Sequence, residues 1–299
     1  MAKRDFATLL TGGDFFEGPR WHDGLWWVSD FYQHAVTVLE PTGEVVRRIE
    51  LDDRPSGLGW LPDGSLVVSA MLSRKVLRVQ GDTITTYADL GAVCGGLLND
   101  LVVDRHGHVF VGDFGYDLMT GEDPAPTTLK RIDLDGSVHV VADGLNFPNG
   151  AVITPDGATL LVCETFGNRV AAFDLAPDGS LSNHRVWAAL GPPPSGATMD
   201  DFWAGVIVTF DGCALDAEGL LWAADTSNGR VLRVREGGEV AEELLLPDGL
   251  GAFACALGGL DGRTLLICAA PDYIPEARTG AKEGVLLTVN VDVPGAPAS

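Results

Sequence analysis

The chain has 299 residues with 20 Lys and Arg against 42 Asp and Glu, a formal net charge of −22. That acidity argues against a nucleic-acid backbone or an anionic membrane surface as partner. The 38 glycines lie in a chain that is 46% hydrophobic and shows no collagen period, so many tight turns around a core fit better than disorder.

The first residues, MAKRDFATLL, are followed at once by TGGDFFEG. They lack the uninterrupted apolar run of a signal peptide, and no stretch in the chain approaches the length needed to span a bilayer. A soluble, cytoplasmic protein is expected. The five cysteines, Cys94, Cys163, Cys213, Cys255 and Cys268, are scattered without CxxC spacing. They read as buried small hydrophobes in a reducing compartment, not as a disulfide framework or zinc knuckle.

From residue 22 onward one pattern recurs, a small glycine turn followed by an apolar run. The copies are HDGLWWVSD, PDGSLVVSA, RHGHVFVGD, PDGATLLVCE, AEGLLWAAD and LDGRTLLICAA, with turn glycines at 24, 64, 107, 157, 219 and 262. Each copy is preceded by a short apolar segment and followed by a second β-rich run. A third run closes five of the six units, as in VVRRIEL, TITTYADL and VHVVADGL. No segment longer than about ten residues shows helical periodicity. Four strands per unit at a period near 40 predict an all-β fold, a six-bladed β-propeller with four-stranded blades in a single domain spanning 1–299. The blade cores fall at about 14–51, 52–90, 95–145, 146–190, 207–247 and 250–292. The sixth unit lacks its outer strand, and residues 6–11 (FATLLT) resemble one. They are expected to pair with GVLLTVNV and close the ring. The tail VPGAPAS reads as frayed.

In a propeller the first strand of each blade lines the axis. Stepping back from each turn glycine reaches Glu17-Gly18, Ser56-Gly57, Asn99-Asp100, Asn149-Gly150, Asp211-Gly212 and Ala254-Cys255. Glu17, Asn99, Asn149 and Asp211 therefore converge by register. Two carboxylates and two amide carbonyls, without His or Cys, form a hard-oxygen set suited to Ca²⁺, with Mg²⁺, Mn²⁺ or Zn²⁺ as substitutes. The alternative is that these side chains cap backbone donors at the channel mouth, as Asx turns do. Glycine after the polar residue in four units suits close backbone approach.

Strand parity places the second-strand ends Asp30, Asp113, Glu164 and Asp225 on the same face, Asp113 being expected to contact substrate. Two long insertions, at about 113–130 and 189–206, are expected to roof the site.

The motifs FFEGPRW at 15–21, LLNDLVVDRHGHVFVGDFG at 97–115, NFPNGAVITPDG at 146–157 and DGCALDAEGLLWAADTSNGRV at 211–231 resemble those of the gluconolactonase, regucalcin (senescence marker protein) and lactonase-like family of six-bladed propellers. The resemblance covers about residues 14–290. It implies a divalent cation held by Glu17, Asn149 and Asp211, with Asn99 binding metal or substrate, and hydrolysis of a lactone. A related branch hydrolyses organophosphates. Sugar-lactone members carry an arginine two residues before the blade-three Asn, where this chain has Leu97. With Phe114, Tyr116, Phe147, Phe166, Phe202 and Trp203 as the expected roof, the substrate reads as a small lactone or ester more apolar than a sugar lactone. Asp211 is the first candidate for the base that activates water and Asp100 the second. The rival readings are a calcium-dependent propeller that binds without catalysis, and an aryl ester or organophosphate hydrolase on the same site. No G-x-S-x-G elbow, H-E-x-x-H helix or phosphate loop is present.

Overall fold

The computed structural model describes residues 4–196 and 198–297. Its strands form six four-stranded antiparallel sheets. Blades one to five each use four consecutive strands, the innermost being Phe16–His22, Pro55–Trp60, Leu98–Val103, Pro148–Ile153 and Phe210–Leu215. Blade six combines Gly251–Gly258, Thr264–Ala270 and Gly284–Asn290 with the N-terminal strand Ala7–Gly13. Each innermost strand packs on the next, and the last returns to the first. The chain is a six-bladed β-propeller.

Alternating side chains fill the spaces between blades, because a sheet buried on both faces is apolar on both. Six hydrophobic clusters result, one per interface. Leu161, Cys163, Phe210 and Leu221 join blades four and five, for example, while Val36, Leu58 and Val68 join blades one and two. All five cysteines are buried and unpaired, as small core residues. A seventh cluster is aromatic and sits apart from the interfaces, built on Phe15, Phe31, Tyr32, Phe114, Phe147 and Phe253.

Every innermost strand breaks register near its start. The irregularities lie between Glu17 and Arg20, Pro55 and Leu58, Leu98 and Leu101, Pro148 and Ala151, Phe210 and Cys213, and Ala252 and Ala254. A bulge inserts a residue that the partner strand does not match, so its side chain is released from the blade interface and re-aimed. Crowding explains the glycines that follow. Gly18 has φ +54°, and a methyl there would overlap the Ser56 carbonyl; one at Gly150 would overlap Asp211 O and Cys213 N.

The C-terminal segment is more ordered than its composition suggests. Ala217 N donates to Pro294 O and Ala296 N to Leu215 O, tying the tail to blade five; residues 298–299 lie outside the described residues. Among the described residues no helix is long and apolar enough to cross a membrane.

Ala7–Gly13 pairs the chain's start with its last blade, and Arg4 adds bonds to Asn290 O and Asp292 there and to Glu242 of blade five. Deleting residues 1–12 leaves Gly284–Asn290 paired on one edge only and removes the Leu9 and Leu10 contacts to the blade-six and blade-one core. The melting temperature should fall by on the order of 10 °C. An unchanged melt would show that ring closure does not contribute.

Candidate functional site

One cavity opens at the face where the innermost strands begin. It has a volume of about 650 Å³ including its mouth, within the range of small-ligand sites. Its polar lining comprises Glu17, Asn99, Asn149 and Asp211 with the hydroxyl residues Thr165, Thr209, Thr226 and Ser227. The four side chains that register arguments bring to the axis do meet in one cavity.

Each is held by a hydrogen bond within its own blade or to the next. Glu17 Oε2 accepts from Gly18 N at 2.6 Å, while Asn99 Nδ2 donates to Pro148 O at 3.1 Å. Asn149 Nδ2 donates to Thr165 Oγ1 at 3.1 Å, and Thr165 passes the chain on to Phe210 O at 2.8 Å. Asp211 Oδ2 accepts from Thr226 Oγ1 at 3.2 Å. Both amides thus use their NH₂ groups on protein acceptors. Among the described residues neither Oδ1 has a protein donor, so each is left to face a ligand.

The electrostatics are strained. Burial pushes the Asp211 carboxyl up to about 8, with Asp100 adding repulsion. Burial raises Glu17 well above the usual carboxylate range, and Asp211 is the next cause. Arg20 is the cation of the channel, but its Nη2 is committed to Asp100 Oδ1 at 2.6 Å and Leu101 O at 2.8 Å. Among the described residues no three His, Cys, Asp or Glu side chains cluster in metal-holding geometry. A cation here would rest on two carboxylates and two amide oxygens, a donor set that suits a hard dication.

The wall is apolar. Phe15, Phe31, Phe114, Phe147, Phe166 and Phe253 line it, together with Tyr32, Tyr273, Leu118 and Met119. Phe114 and Phe147 stack with centroids 4.2 Å apart, and Phe166 meets Phe147 edge-on at 5.0 Å. Leu97 packs against this cluster, and the Tyr116 hydroxyl is buried in it with no partner among the described residues.

Five expected residues, Asp100, Asp113, Tyr116, Phe202 and Trp203, do not line the cavity. Asp113 does not reach the cavity: it is fully buried, paired with Lys130, and accepts from Thr127 Oγ1 at 2.9 Å and Gly115 N at 2.6 Å. The same holds for the other second-strand acids, since Asp30 caps Asp14 N and Phe15 N, Glu164 binds Arg169, and Asp225 binds Arg230. Such acids satisfy loop amides that would otherwise be buried unpaired, and so tie the loops together. Asp100 points away from the cavity to Arg20. Trp203 lies behind the lining, 38% exposed, and packs edge-on against Phe166 at 4.9 Å.

The insertion at 113–130 does reach the cavity through Leu118 and Met119, whereas that at 189–206 acts through Trp203. Residues that the sequence reading passed over are Phe31, Tyr32, Thr165, Thr226, Ser227, Phe253 and Tyr273. A signal existed for several of them. Phe31, Phe114, Thr165 and Thr226 each follow a second-strand acid directly.

The family model described as the SMP-30/Gluconolactonase/LRE-like region matches residues 15–271. The chain belongs to that family. A 6-deoxy-6-sulfogluconolactonase of Pseudomonas putida is 26% identical over 275 residues, covering 91% of this chain and 88% of the relative. A pentonolactonase of Haloferax volcanii is 25% identical, covering 94% of this chain and 92% of its own. In fold the chain resembles the calcium-binding protein regucalcin from Agrobacterium tumefaciens, with a TM-score of 0.79 at 20% identity, covering 100% of this chain and 99% of that one. The SMP-30/gluconolactonase fold thus accounts for the ring and for the position of its channel.

The raised Asp211 carboxyl has a consequence for stability. Folded, metal-free protein holds a proton on Asp211 up to about pH 8, whereas the unfolded chain releases it near pH 4. More protons bound in the folded state means that stability falls as pH rises from about 4 to 8. Chelated protein should therefore melt lower at pH 8 than at pH 5, and Asp211→Asn should flatten that dependence. A chelated wild type with a flat or rising melting curve would contradict the buried, uncompensated carboxylate.

Proposed function

We propose that this chain is a divalent-metal-dependent hydrolase that opens a lactone, and that its substrate is more apolar than a simple sugar lactone. The observation that carries the proposal is the composition of one cavity: a floor of four oxygen-bearing side chains under an aromatic wall. Both sequence relatives are lactonases by name, which supports the reaction class. Ca²⁺ is the proposed ion, since flexible oxygen ligation by carboxylates and amide carbonyls is its preference over smaller cations.

Glu17, Asn99, Asn149 and Asp211 would hold the ion. When bound, it supplies Lewis-acid polarisation of the lactone carbonyl. Glu17 and Asp211 balance its charge, while the two amides add ligands without further negative charge. Asp211 is also the proposed base. Its Oδ2 is fixed by Thr226, which leaves Oδ1 to accept a proton from the attacking water. The water oxygen bonds to the carbonyl carbon, the ring C–O bond breaks, and the proton passes to the departing ring oxygen to give a hydroxy acid. Asp100, bonded to Arg20, supports the floor from beneath instead of meeting substrate.

The aromatic wall and, among the described residues, the absence of any Arg or Lys from the lining favour binding of an apolar or aromatic ring portion. Phe114, Phe147 and Phe166 are the proposed contacts, with Trp203 holding Phe166 in place.

A panel of aryl lactones, sugar lactones, aryl esters and phosphotriesters, assayed with calcium and with chelator, tests this reading. Aryl lactones should turn over with kcat/KM at least about tenfold above gluconolactone, and chelator should abolish the activity. Asp211→Asn should lower kcat by about 100-fold or more. Calcium binding without turnover of any ester would favour a binding propeller, and turnover indifferent to chelator would remove the ion from the mechanism.

A further inference from the structure

Above its floor the cavity is two-sided. Among the described residues blade five supplies only polar groups, Thr209, Asp211, Thr226 and Ser227, whereas blades one and six supply aromatics apart from Glu17. Two further pieces of the apolar side come from insertions. Leu118 and Met119 stand in the loop that joins the second and third strands of blade three, and Tyr273 in the corresponding loop of blade six. In a ring of six these blades stand opposite each other, so the two insertions reach the cavity from opposite sides.

Neither insertion hides its apolar side chains. Leu118 and Met119 are half-buried and Tyr273 is 40% exposed, although all three line the cavity. Polar ties hold them there. Asp117 Oδ1 accepts from Met119 N at 3.0 Å and Thr120 N at 3.1 Å, fixing the turn that carries Leu118 and Met119. Tyr32 Oη donates to Tyr273 O at 2.5 Å, and Asp14 accepts from Gly280 N at 2.7 Å and Lys282 N at 3.1 Å near the far end of the same loop. The apolar wall therefore continues outward from Phe114 and Phe147 into solvent, where its last members gain cover only from a ligand. Hydroxylated sugar carbons would find no hydrogen-bond partner on the Leu118 or Met119 side chains, whereas methylenes shed water against them.

We propose that the substrate is a lactone carrying a hydrocarbon chain, with the ring over the floor and the chain leaving the cavity against Leu118, Met119 and Tyr273. The lactone half of this statement rests on the function proposed above; the chain half rests on the mouth alone. Blade five fixes the chain's direction, since methylenes laid against Thr226 and Ser227 would strip water from hydroxyls without replacing it. Leu118, Met119 and Tyr273 are thus specificity-determining residues. They touch the part of the substrate remote from the bond that breaks, and they select its length.

The test is calorimetric binding to the calcium-loaded full chain of γ-lactams, which resist ring opening, bearing linear alkyl substituents from ethyl to decyl. Wild type should bind about two- to fourfold more tightly for each methylene that reaches the apolar side, until the chain passes the mouth. Tyr273→Ser, which keeps the carbonyl bonded to Tyr32, and Met119→Ser should each reduce that gain, so that the decyl compound loses at least about fivefold in affinity relative to the ethyl compound. A reduction in either variant places the chain at that residue, and either one suffices if the other misfolds. Affinity independent of chain length in wild type, or a gain that both variants leave intact, overturns the proposal. The outcomes separate the two readings: a chain-length dependence carried by these residues in a protein that opens no lactone sinks only the hydrolase, whereas turnover of short lactones without the dependence sinks only the chain.

Discussion

Burying two carboxylates side by side is the constraint around which this molecule is arranged. Glu17 and Asp211 come from distant parts of the sequence and are removed from water together; Asp211 adds to the rise in Glu17, and Asp100 to that in Asp211. The arginine that could neutralise them, Arg20, is engaged with a third acid, Asp100. An isolated buried charge costs several kcal/mol, so such a site is stable only protonated or with a cation supplied from outside. The carbonyl oxygens of Asn99 and Asn149 are compatible with the second solution, because amide oxygens are ligands of a hard dication.

The fold tolerates this charge by distributing its support. Six interblade cores are apolar and interchangeable in character, and they provide the rigidity. Against that background the axial side chains need only a local device, a bulge followed by a glycine, to leave the blade interface and point along the channel. Acids at the second-strand ends then fix the loops from which the wall is built. Floor, wall and loop ties come from consecutive register positions of one repeated unit, so changes in the wall need not disturb the floor.

That layering also explains which features were legible in the sequence. The blade count, the closing strand and the floor residues recur at fixed offsets from a turn glycine, and a periodic signal survives without coordinates. Asp113 recurs just as faithfully as Asn99, and recurrence alone does not say whether an acid faces a ligand or a backbone amide. The bulge decides that, and its mark in the sequence is partial: a glycine follows Glu17, Asn149 and Asp211 but not Asn99. Tyr273 comes from an insertion within blade six whose path over the cavity is set by tertiary contacts such as Tyr32 Oη to Tyr273 O, at 2.5 Å. Phe31, Tyr32 and Phe253 look like ordinary core aromatics until the ring closes and Phe15 packs against all three.

Anomalous scattering from a crystal grown with calcium locates the ion directly. The account predicts one strong peak per chain in the channel, with Glu17, Asn99, Asn149 and Asp211 contributing oxygens at about 2.3–2.6 Å. A channel without a peak at saturating calcium, or a peak bound only by surface acids, would contradict it.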